Sequence, residues 1–456
     1  MGEFSVETAI IGGGQAGVPL ARALAGAGRM VALFERAHLG GSCVNFGCTP
    51  SKALIASARI AADARHASEW GIRIPTIDVD FAAVMARVRG LVADAKGSLD
   101  SSFAGHDNPR IIAAYARLDG RQGDRFRIRA GSDLVLAERV VLDTGTRSAM
   151  PPVEGLDRVP FLDAENWLQL DELPRRMMVL GGSYIALEMA QAFRRLGGEV
   201  IVLQQGKQLM EREDADVAEA IQQALERDGV EVQLGADVRS VEARKGALAL
   251  RLADGEAQGT HLFVATGRKP NTDDLGLDTV GLEPGRNGII DVDGRLATAV
   301  AGIWAVGDIR GGPAFTHTAY ADFRVLESLF LGDGSVERPK IIPYAMFTEP
   351  ELGRVGLSEA QARVAGRAVK VARRDMAESG KARDLGRTAG FIKVVLDAHT
   401  DQILGATVLS TEGAEVVQLF VELMNAGSTA QTMLEAVHIH PTLAEAAKNV
   451  LVDALG

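Results

Sequence analysis

A glycine-rich turn close to the start of the sequence constrains the fold of this chain more than any other feature. An apolar run, Val6–Ile11, leads into glycine-rich residues 12–17, and an Ala/Leu-rich stretch follows as far as Ala27. A second apolar run, residues 30–34, then ends at Glu35. Strand, G-x-G-x-x-G turn, helix, strand and acidic residue in this order are the pattern of a dinucleotide-binding βαβ unit. The sequence therefore predicts an α/β fold that begins with a Rossmann-like domain.

The residues of that pattern have separate physical tasks. Gly12 allows the tight turn, Gly14 lets the backbone approach a pyrophosphate, and Gly17 permits close packing of the helix. The amino terminus of the helix receives the negative charge of the phosphates, and Glu35 accepts hydrogen bonds from ribose hydroxyls. We expect the first nucleotide to bind here.

Residues 177–204 repeat the pattern as strand, small-residue turn, helix and strand, with the turn beginning at Gly181. Ser183 and Ala186 stand where the pattern prefers glycine, but both are small enough to keep the close approach. The second strand ends at Gln204, which neither favours a free ribose 2′-hydroxyl as a carboxylate would nor repels a 2′-phosphate. Lys207 lies close enough in sequence to meet a phosphate. NADH and NADPH therefore both stay open, with a slight preference for NADPH.

Cys43 and Cys48 are the only cysteines of the chain and have four residues between them. At the start of a predicted helix, a disulfide at this spacing is sterically possible. Its loop is so small that the bond adds little stability, so we interpret it as a bond that opens and closes. The helix amino terminus would also lower the pKa of a thiolate. The alternatives are two buried cysteines or half of a metal site, although no further cysteine could complete a zinc tetrad.

Near the end of the sequence, Thr442 is placed to cap a helix that carries Glu445 in its first turn. A carboxylate there can orient the imidazole of His440 and raise its pKa, which suits a general acid/base. Taken alone, such a pair is more often a structural hydrogen bond. The cysteine pair, which needs a proton donor, gives the catalytic interpretation its weight.

The remaining pattern indicates further domains. Residues 110–141 alternate in short runs between turn residues, which predicts an antiparallel β insertion, and Pro151 with Pro152 marks a boundary. A strand that ends at Gly307-Asp308 brings a carboxylate to the edge where an α/β sheet meets its ligand. From about Pro339 the pattern changes to strands and an amphipathic helix, residues 412–426, which predicts an α+β domain.

Composition limits the classes of partner. The net charge of −11 argues against a sequence-independent binder of nucleic acid or of anionic membranes. No apolar run approaches the length that spans a bilayer, and the first residues lack the basic and apolar regions of an export signal. With only two cysteines, we expect a reducing compartment and a cytoplasmic location.

Together these motifs predict one path for electrons. Hydride leaves a nicotinamide, reaches a flavin and passes through the disulfide to an acceptor. We infer the flavin because a nicotinamide cannot by itself reduce a disulfide held on the other side of a second nucleotide site. Cys48 would face the flavin as the charge-transfer thiolate, and Cys43 would be the exposed interchange thiol. His440 would protonate the leaving thiolate or deprotonate the incoming thiol.

Residues 40–52, GGSCVNFGCTPSK, closely resemble the redox motif of the class I pyridine nucleotide–disulfide oxidoreductases. That family includes dihydrolipoamide dehydrogenase, glutathione reductase and mercuric reductase, and the other motifs of this chain follow in family order. The resemblance implies two Rossmann-like domains, for FAD and NAD(P), and a carboxyl-terminal α+β dimerisation domain. The predicted bounds are 1–150 and 276–337 for the two parts of the FAD-binding domain, 151–275 for the NAD(P)-binding domain and 338–456 for the dimerisation domain.

The resemblance also assigns roles to residues. Lys52 would pair with Glu188 near the flavin N5, and Tyr184 would gate the nicotinamide pocket. The protein would be a homodimer in which His440 and Glu445 of one subunit complete the other subunit's site. No metal ligands are predicted. The predicted cofactor-binding residues are Gly12, Gly14, Gly17, Glu35, Gly41, Ser42, Lys52, Thr144, Gly145, Gly181, Ser183, Tyr184, Ile185, Gln204, Lys207, Gly267 and Asp308.

Departures from the family narrow the choice of branch. Mercuric reductases end in a further cysteine pair, which this sequence lacks, and Gln204 replaces the acid typical of NAD-linked lipoamide dehydrogenases. Residues 179–188 and 315–320 look most like a mercuric-reductase-like branch. The sequence therefore predicts a reductase of a small disulfide or a thiol-ligated metal ion. The alternatives are dihydrolipoamide dehydrogenase of a multienzyme complex and a redox sensor without turnover.

Overall fold

The structure is a computed structural model that describes residues 2–455. Its first part is an α/β unit built on the predicted glycine-rich turn. The elements of this part are β1 (Glu3–Ile11), α1 (Gly17–Gly26), β2 (Val31–Phe34), α2 (Gly41–Asn45), α3 (Cys48–His66), α4 (Phe81–Ser101), β3 (Arg110–Ile112), β4 (Ala116–Gln122), β5 (Arg125–Ala130), β6 (Asp133–Leu142) and β7 (Thr146–Ser148).

Strand β1 lies in the middle of the first sheet. It pairs in parallel with β2 on one side and with β6 on the other, so that Ile11 lies beside both Phe34 and Leu142. The end of β1 is apolar and buried, including Ala9 and Ile10, as expected for a parallel strand covered on both faces. The glycine turn therefore leaves the sheet at the carboxyl end of its central strand, as predicted.

The predicted antiparallel insertion over residues 110–141 is only partly correct. Strands β4, β5 and the first half of β6 form an antiparallel meander. In contrast, β3 pairs in parallel with β2, and β6 pairs in parallel with β1 along its length. Turn residues between neighbouring strands mark hairpins locally, whereas parallel partners lie far apart in sequence and leave no local signal.

The second part of the chain is another parallel unit. Strands β10, β9, β8 and β14 form its parallel sheet, β11 to β13 form an antiparallel sheet, and β15 pairs with β7 of the first part. These elements are β8 (Arg176–Leu180), α5 (Tyr184–Leu196), β9 (Glu199–Gln204), α6 (Ala215–Arg227), β10 (Glu231–Leu234), β11 (Val238–Arg244), β12 (Ala247–Leu252), β13 (Gly255–Gly259), β14 (His261–Val264) and β15 (Arg268–Pro270).

The chain then returns to the first sheet, because β16 pairs in parallel with the end of β6. A five-stranded antiparallel sheet follows, in the order β17, β18, β21, β20, β19. The remaining elements are β16 (Ile303–Ala305), α7 (Thr316–Leu331), β17 (Tyr344–Met346), β18 (Glu351–Gly356), α8 (Glu359–Val364), β19 (Val369–Asp375), α9 (Gly380–Asp384), β20 (Phe391–Asp397), β21 (Ile403–Ser410), α10 (Gly413–Val416), α11 (Gln418–Asn425), α12 (Ala430–Glu435) and α13 (Leu443–Leu455).

The helix predicted over residues 412–426 is divided into α10 and α11, and Glu412 before it has a left-handed backbone with φ 54°. Sheet membership changes between β7 and β8, between β15 and β16, and between β16 and β17. The domain boundaries after residues 150, 275 and 337 fall in these intervals, and the division itself stays a prediction. None of the helices within residues 2–455 is long and apolar enough to cross a membrane.

Candidate active site

A single large cavity connects the first glycine-rich turn with the two cysteines. Its volume is about 1220 Å³, and its walls come from the first α/β unit, from α5 and from the segment that leads into β17. Gly12, Glu35, Cys48, Tyr184 and Tyr344 all line it. Residues that are distant in the sequence therefore line one cavity.

The glycine turn that lines the cavity has no room for side chains. A Cβ on Gly12, which has φ 109°, would collide with the carbonyl oxygen of Asp143. A Cβ on Gly41 would lie 3.1 Å from the Cα atom of Gly14. The Glu35 carboxylate accepts hydrogen bonds from the backbone N–H groups of Gly13 (2.9 Å) and Ala37 (2.7 Å). Bare backbone next to a fixed carboxylate fits a dinucleotide.

Sequence reasoning missed Asp143, which lies beneath this turn. Its Oδ2 atom accepts a hydrogen bond of 2.7 Å from the backbone N–H of Gly17, at the amino terminus of α1. Burial raises the pKa of Asp143 well above its ordinary value. Its place directly before the predicted Thr144, at the end of β6, is the signal that could have identified it.

The turn after β6 is tied to the residue that follows β15. Thr144 donates a hydrogen bond to the carbonyl oxygen of Asn271 (3.0 Å), and the amide of Asn271 donates one to the carbonyl of Thr144 (2.8 Å). The hydroxyl of Thr146 donates to Asp308 Oδ2 at 3.0 Å and accepts from Arg268 Nε at 2.7 Å. Asp308 is thereby held at the cavity wall. The predicted Ser42 and Gly145 line the same cavity.

The two cysteines are free thiols on consecutive helices. Cys43 lies in α2 and is half-buried, whereas Cys48 is the first residue of α3 and is exposed to the cavity. Both cysteines line the cavity, and Cys48 opens on it through the first turn of α3. That Cys43 is the interchange thiol exposed to the acceptor stays a prediction. The hydroxyl of Thr316 lies 3.4 Å from the Cys48 sulfur.

The environment separates the two thiols chemically. The Cys43 thiol donates a hydrogen bond to the Cys48 sulfur, and with the Thr316 hydroxyl and the Lys52 ammonium it lowers the pKa of Cys48 to about 6. The same hydrogen bond, followed by burial, raises the pKa of Cys43. The amino terminus of α3 also stabilises the Cys48 thiolate and so lowers the pKa further. One thiolate and one thiol therefore lie side by side at neutral pH.

Lys52 and Glu188 form the ion pair that the resemblance implied. Lys52 Nζ lies 2.7 Å from Glu188 Oε2, and the Glu188 side chain is only 4% exposed. The other carboxylate oxygen accepts a hydrogen bond of 2.9 Å from the backbone N–H of Phe347, whose ring lies beneath the ammonium. The pair fixes a positive charge one helical turn from Cys48, where it favours the thiolate.

The second glycine turn contributes to the cavity only through its helix. Tyr184 and Ile185, at the start of α5, line the cavity, and burial raises the pKa of the Tyr184 hydroxyl. Gly181 has φ 111°, and a Cβ there would collide with the backbone of Ala265. Gly267 is also left-handed, with φ 140°, and Ser183 is the exposed residue before α5. Gln204, the last residue of β9, and Lys207, three residues later, do not line the cavity.

His440 and Glu445 lie close together as predicted, around the start of α13. Glu445 Oε2 lies 2.9 Å from His440 Nδ1, and the His440 side chain is 76% exposed. Neither residue is among the described residues that line the cavity. The backbone N–H of Glu445 donates to the hydroxyl of Thr442 at 3.1 Å, which is the predicted cap.

The donor set of the cavity fits FAD. Bare glycine backbone and Glu35 would hold the adenosine and pyrophosphate end, and Asp308 would hold hydroxyls farther along. Lys52, Tyr184 and Cys48 also line the cavity. Within residues 2–455, no group of three or more His, Cys, Asp or Glu side chains is arranged to hold a metal ion.

Comparison with known families agrees with this arrangement. The family profile described as "Pyridine nucleotide-disulphide oxidoreductase" matches residues 6–322. The profile of the dimerisation domain of the same family matches residues 342–451.

Individual relatives match over nearly their whole lengths. The chain is 31% identical over 463 residues to dihydrolipoyl dehydrogenase of Geobacillus stearothermophilus, covering 100% of this chain and 98% of the relative. It is 31% identical over 444 residues to the probable pyridine nucleotide-disulfide oxidoreductase RclA of Escherichia coli strain K12, covering 96% and 97%. The Cu(II) complex of the HOCl-induced flavoprotein disulfide reductase RclA from Escherichia coli superposes with a TM-score of 0.90 at 29% identity, covering 98% of this chain and 99% of that one.

Proposed function

Because the chain belongs to the pyridine nucleotide-disulphide oxidoreductase family, we propose that it reduces a small disulfide or a thiol-ligated metal ion through the Cys43–Cys48 pair. As a flavoprotein disulfide reductase it uses FAD and NAD(P)H. Bound FAD supplies the two-electron chemistry that connects a nicotinamide with a disulfide.

The difference between the two thiols carries the proposal. With its pKa lowered to about 6, Cys48 is ionised at neutral pH without leaving its place beside Thr316. Cys43 holds the proton and, once it is deprotonated, is the sulfur free to attack. A pair of structural cysteines needs no such division between one stabilised thiolate and one thiol.

The chemistry with a disulfide acceptor balances within the pair. The Cys43 thiolate attacks one sulfur of the acceptor and displaces the other as a thiolate, which takes a proton. Cys48 then attacks Cys43, releases the second thiol and forms the Cys43–Cys48 disulfide. Two electrons from NAD(P)H restore the dithiol. His440, oriented by Glu445, would supply the proton to the leaving thiolate.

In our proposal, His440 protonates the leaving thiolate in the active site of the other subunit of a dimer. Its exposure and its absence from the lining of its own chain's cavity support a site completed by a second subunit. The match to a dimerisation domain over residues 342–451 agrees with a homodimer. Glu445 would keep the imidazole oriented in the partner's site as it does in this chain.

A metal ion would enter as substrate. RclA of Escherichia coli has been described as a Cu(II) complex. A metal-ion acceptor of this protein would have to bring thiolate ligands or bind to the two cysteines, because no other described cluster suits it. The relatives reported above are dihydrolipoyl dehydrogenases and RclA, so membership of a mercuric-reductase-like branch stays a prediction.

Anaerobic stopped-flow measurements would test the proposal. The holoenzyme is reduced with NADH or NADPH and mixed with lipoamide, glutathione disulfide, Hg(II) or Cu(II). We expect reoxidation by at least one small disulfide or metal ion, and loss of that reaction in Cys43→Ser. Reoxidation that proceeds equally well in Cys43→Ser would contradict electron transfer through the cysteine pair.

The two cysteine variants also test which sulfur faces FAD. We expect Cys48→Ser to abolish the long-wavelength absorbance of the two-electron-reduced enzyme, because that band requires the Cys48 thiolate. Cys43→Ser should retain a thiolate band, since Cys48 stays in place. Absorbance spectra of the reduced variants give the answer, and the opposite pattern would reverse our assignment of the two sulfurs.

Dihydrolipoyl dehydrogenase is the second candidate, favoured by the 31% identity to that enzyme over the whole chain. NAD⁺-specific turnover with dihydrolipoamide, faster than with every other thiol in the panel, would establish it. A redox sensor is the third candidate. Absence of NAD(P)H oxidation with any acceptor, together with a conformational change on reduction, would favour the sensor.

A further inference from the structure

In each nucleotide unit, a second strand follows the glycine turn and its helix. The two units can be compared at the end of that strand. In the first unit, a Cβ on Gly13 would meet Leu39 at 2.7 Å and the Glu35 carboxylate at 3.2 Å. In the second, a Cβ on Gly182 would meet Leu209 and the side-chain amide carbon of Gln204, each at 2.9 Å. Gln204 therefore occupies the place that Glu35 occupies in the first unit.

A carboxylate is nevertheless present at this point of the second unit. Gln204 Nε2 donates a hydrogen bond of 2.9 Å to Glu211 Oε1. A Cβ on Gly206 would collide with that same oxygen, so the Glu211 side chain lies directly against the backbone at the end of β9. The carboxylate missing from residue 204 is supplied by a residue seven positions later.

The loop that carries Glu211 is held by the glycine turn and the neighbouring strand. The backbone N–H of Met210 donates to the carbonyl of Gly182 at 2.8 Å. The N–H of Gly235 donates to the carbonyl of Gly206 at 2.9 Å. Because these bonds fix the loop from both sides, Glu211 is positioned by the fold and not by its own flexible side chain alone.

The surroundings of Glu211 leave one of its carboxylate oxygens free to bind a ligand. Glu211 Oε2 makes no hydrogen bond to any described residue, and the side chain is exposed. The acidic residues that follow are engaged elsewhere, since Glu213 pairs with Arg354 and Asp214 with Lys393. Lys207, the residue expected to meet a phosphate, is exposed and pairs with no side chain within the described part of the chain.

We propose that Glu211, held by Gln204, binds the adenosine ribose of the nicotinamide cofactor and makes the enzyme prefer NADH to NADPH. A carboxylate at the end of the second strand accepts hydrogen bonds from a free 2′-hydroxyl and repels a 2′-phosphate. The proposal rests on the proposed function and reverses the slight preference for NADPH that Lys207 suggested. It names a residue that determines nucleotide specificity.

Calorimetric titration of the oxidised holoenzyme with NAD⁺ and NADP⁺ tests the proposal directly. We expect the wild type to bind NAD⁺ more tightly, by roughly tenfold or more, the size of effect that one charged hydrogen-bonding group produces. Glu211→Gln should narrow the ratio of the two Kd values by a similar factor, and Gln204→Glu should keep the preference for NAD⁺.

Glu226→Gln is the matched control. Glu226 is also an exposed carboxylate that accepts a hydrogen bond from a glutamine amide, that of Gln222, at 2.8 Å. The control removes the same charge without changing the end of β9, and it should leave the Kd ratio unchanged. Tighter binding of NADP⁺ by the wild type, an unchanged ratio in Glu211→Gln, or an equal change in Glu226→Gln would each overturn the proposal.

Anaerobic bleaching of the flavin absorbance separates this proposal from the proposed function. Suppose that NADH or NADPH bleaches the flavin, but Glu211→Gln changes neither the ratio of the two Kd values nor the rate of bleaching. Only the proposal on nucleotide specificity then fails. If neither NADH nor NADPH bleaches the flavin of the wild type, the proposed function fails as well.

Discussion

At the scale of single residues, Cys43 and Cys48 have the same chemistry until their surroundings are considered. Cys48 begins a helix and receives hydrogen bonds from Cys43 and Thr316, with the charge of Lys52 nearby. Cys43 lies inside a short helix and is half-buried. The surroundings of each sulfur in the fold therefore decide which of the two is the thiolate.

The pKa of about 6 for Cys48 predicts how the reduced enzyme responds to pH. This pKa lies below the ordinary value of 9.0, so the thiolate is present above pH 6 and is lost as the pH falls through that value. We expect the long-wavelength absorbance of the two-electron-reduced enzyme to fall to half near pH 6.

Lys52→Met should move that midpoint to higher pH, because the ammonium stabilises the thiolate. Lys245→Met, which removes an exposed lysine from the turn between β11 and β12, is the control and should leave the midpoint in place. A midpoint near pH 9 in the wild type, or the same shift in both variants, would contradict our explanation.

At the scale of elements, the start of α6 joins the second nucleotide unit to the carboxyl-terminal sheet. Lys393 of β20 is almost fully buried and lies 2.8 Å from Asp214 and 2.7 Å from Asp216. Asp214 also accepts hydrogen bonds from the backbone N–H groups of Glu359 (3.0 Å) and Ala360 (3.1 Å), at the start of α8. Burial opposes ionisation, but these partners lower the pKa of Asp214 to about 2.

We expect Lys393→Met to lower the thermal unfolding midpoint by several degrees. The variant leaves two carboxylates facing each other without their cation, and removal of one partner from a buried ion pair costs roughly 3 kcal/mol. Lys370→Met on the adjacent β19 is the matched control, because its pair with Asp401 is exposed. Such surface pairs contribute about 1 kcal/mol or less. Scanning calorimetry measures the unfolding midpoint of each variant. Equal decreases in Lys393→Met and Lys370→Met would contradict a stabilising role of the buried ion pair.

At the scale of the whole molecule, the active site that we propose needs two chains. The cysteines line the cavity of one chain, whereas the His440–Glu445 pair projects from the surface near the start of α13. Val437 and Ile439, on the same segment, are 99% and 79% exposed. Large apolar side chains exposed to this extent are typical of a surface that another protein covers.

Mixed dimers test whether the histidine acts in the partner's site. Cys43→Ser and His440→Gln chains are produced together with different affinity tags, and the mixed dimer is isolated by both tags. Each parent dimer should be nearly inactive. In the mixed dimer, one of the two sites combines an intact cysteine pair with an intact histidine, so about half of the wild-type turnover should return. No recovery would show that cysteine pair and histidine belong to the same chain.

The nucleotide units and the reactive cysteines were readable from the sequence because their signals are local. Each glycine of residues 12–17 has its task within one turn, and the spacing of Cys43 and Cys48 is visible along the chain. The pair of His440 with Glu445 was likewise readable, since both residues belong to one helix start.

Only the tertiary structure decided the features that depend on residues from separate segments. Asp143 lies beneath the first glycine turn because β6 runs parallel to β1, although the two strands are far apart in sequence. Glu211 brings a carboxylate next to Gln204 because a loop folds back against β9. Hydrogen bonds and charges act over a few ångströms in space, and no pattern along the chain records which distant residues will come that close.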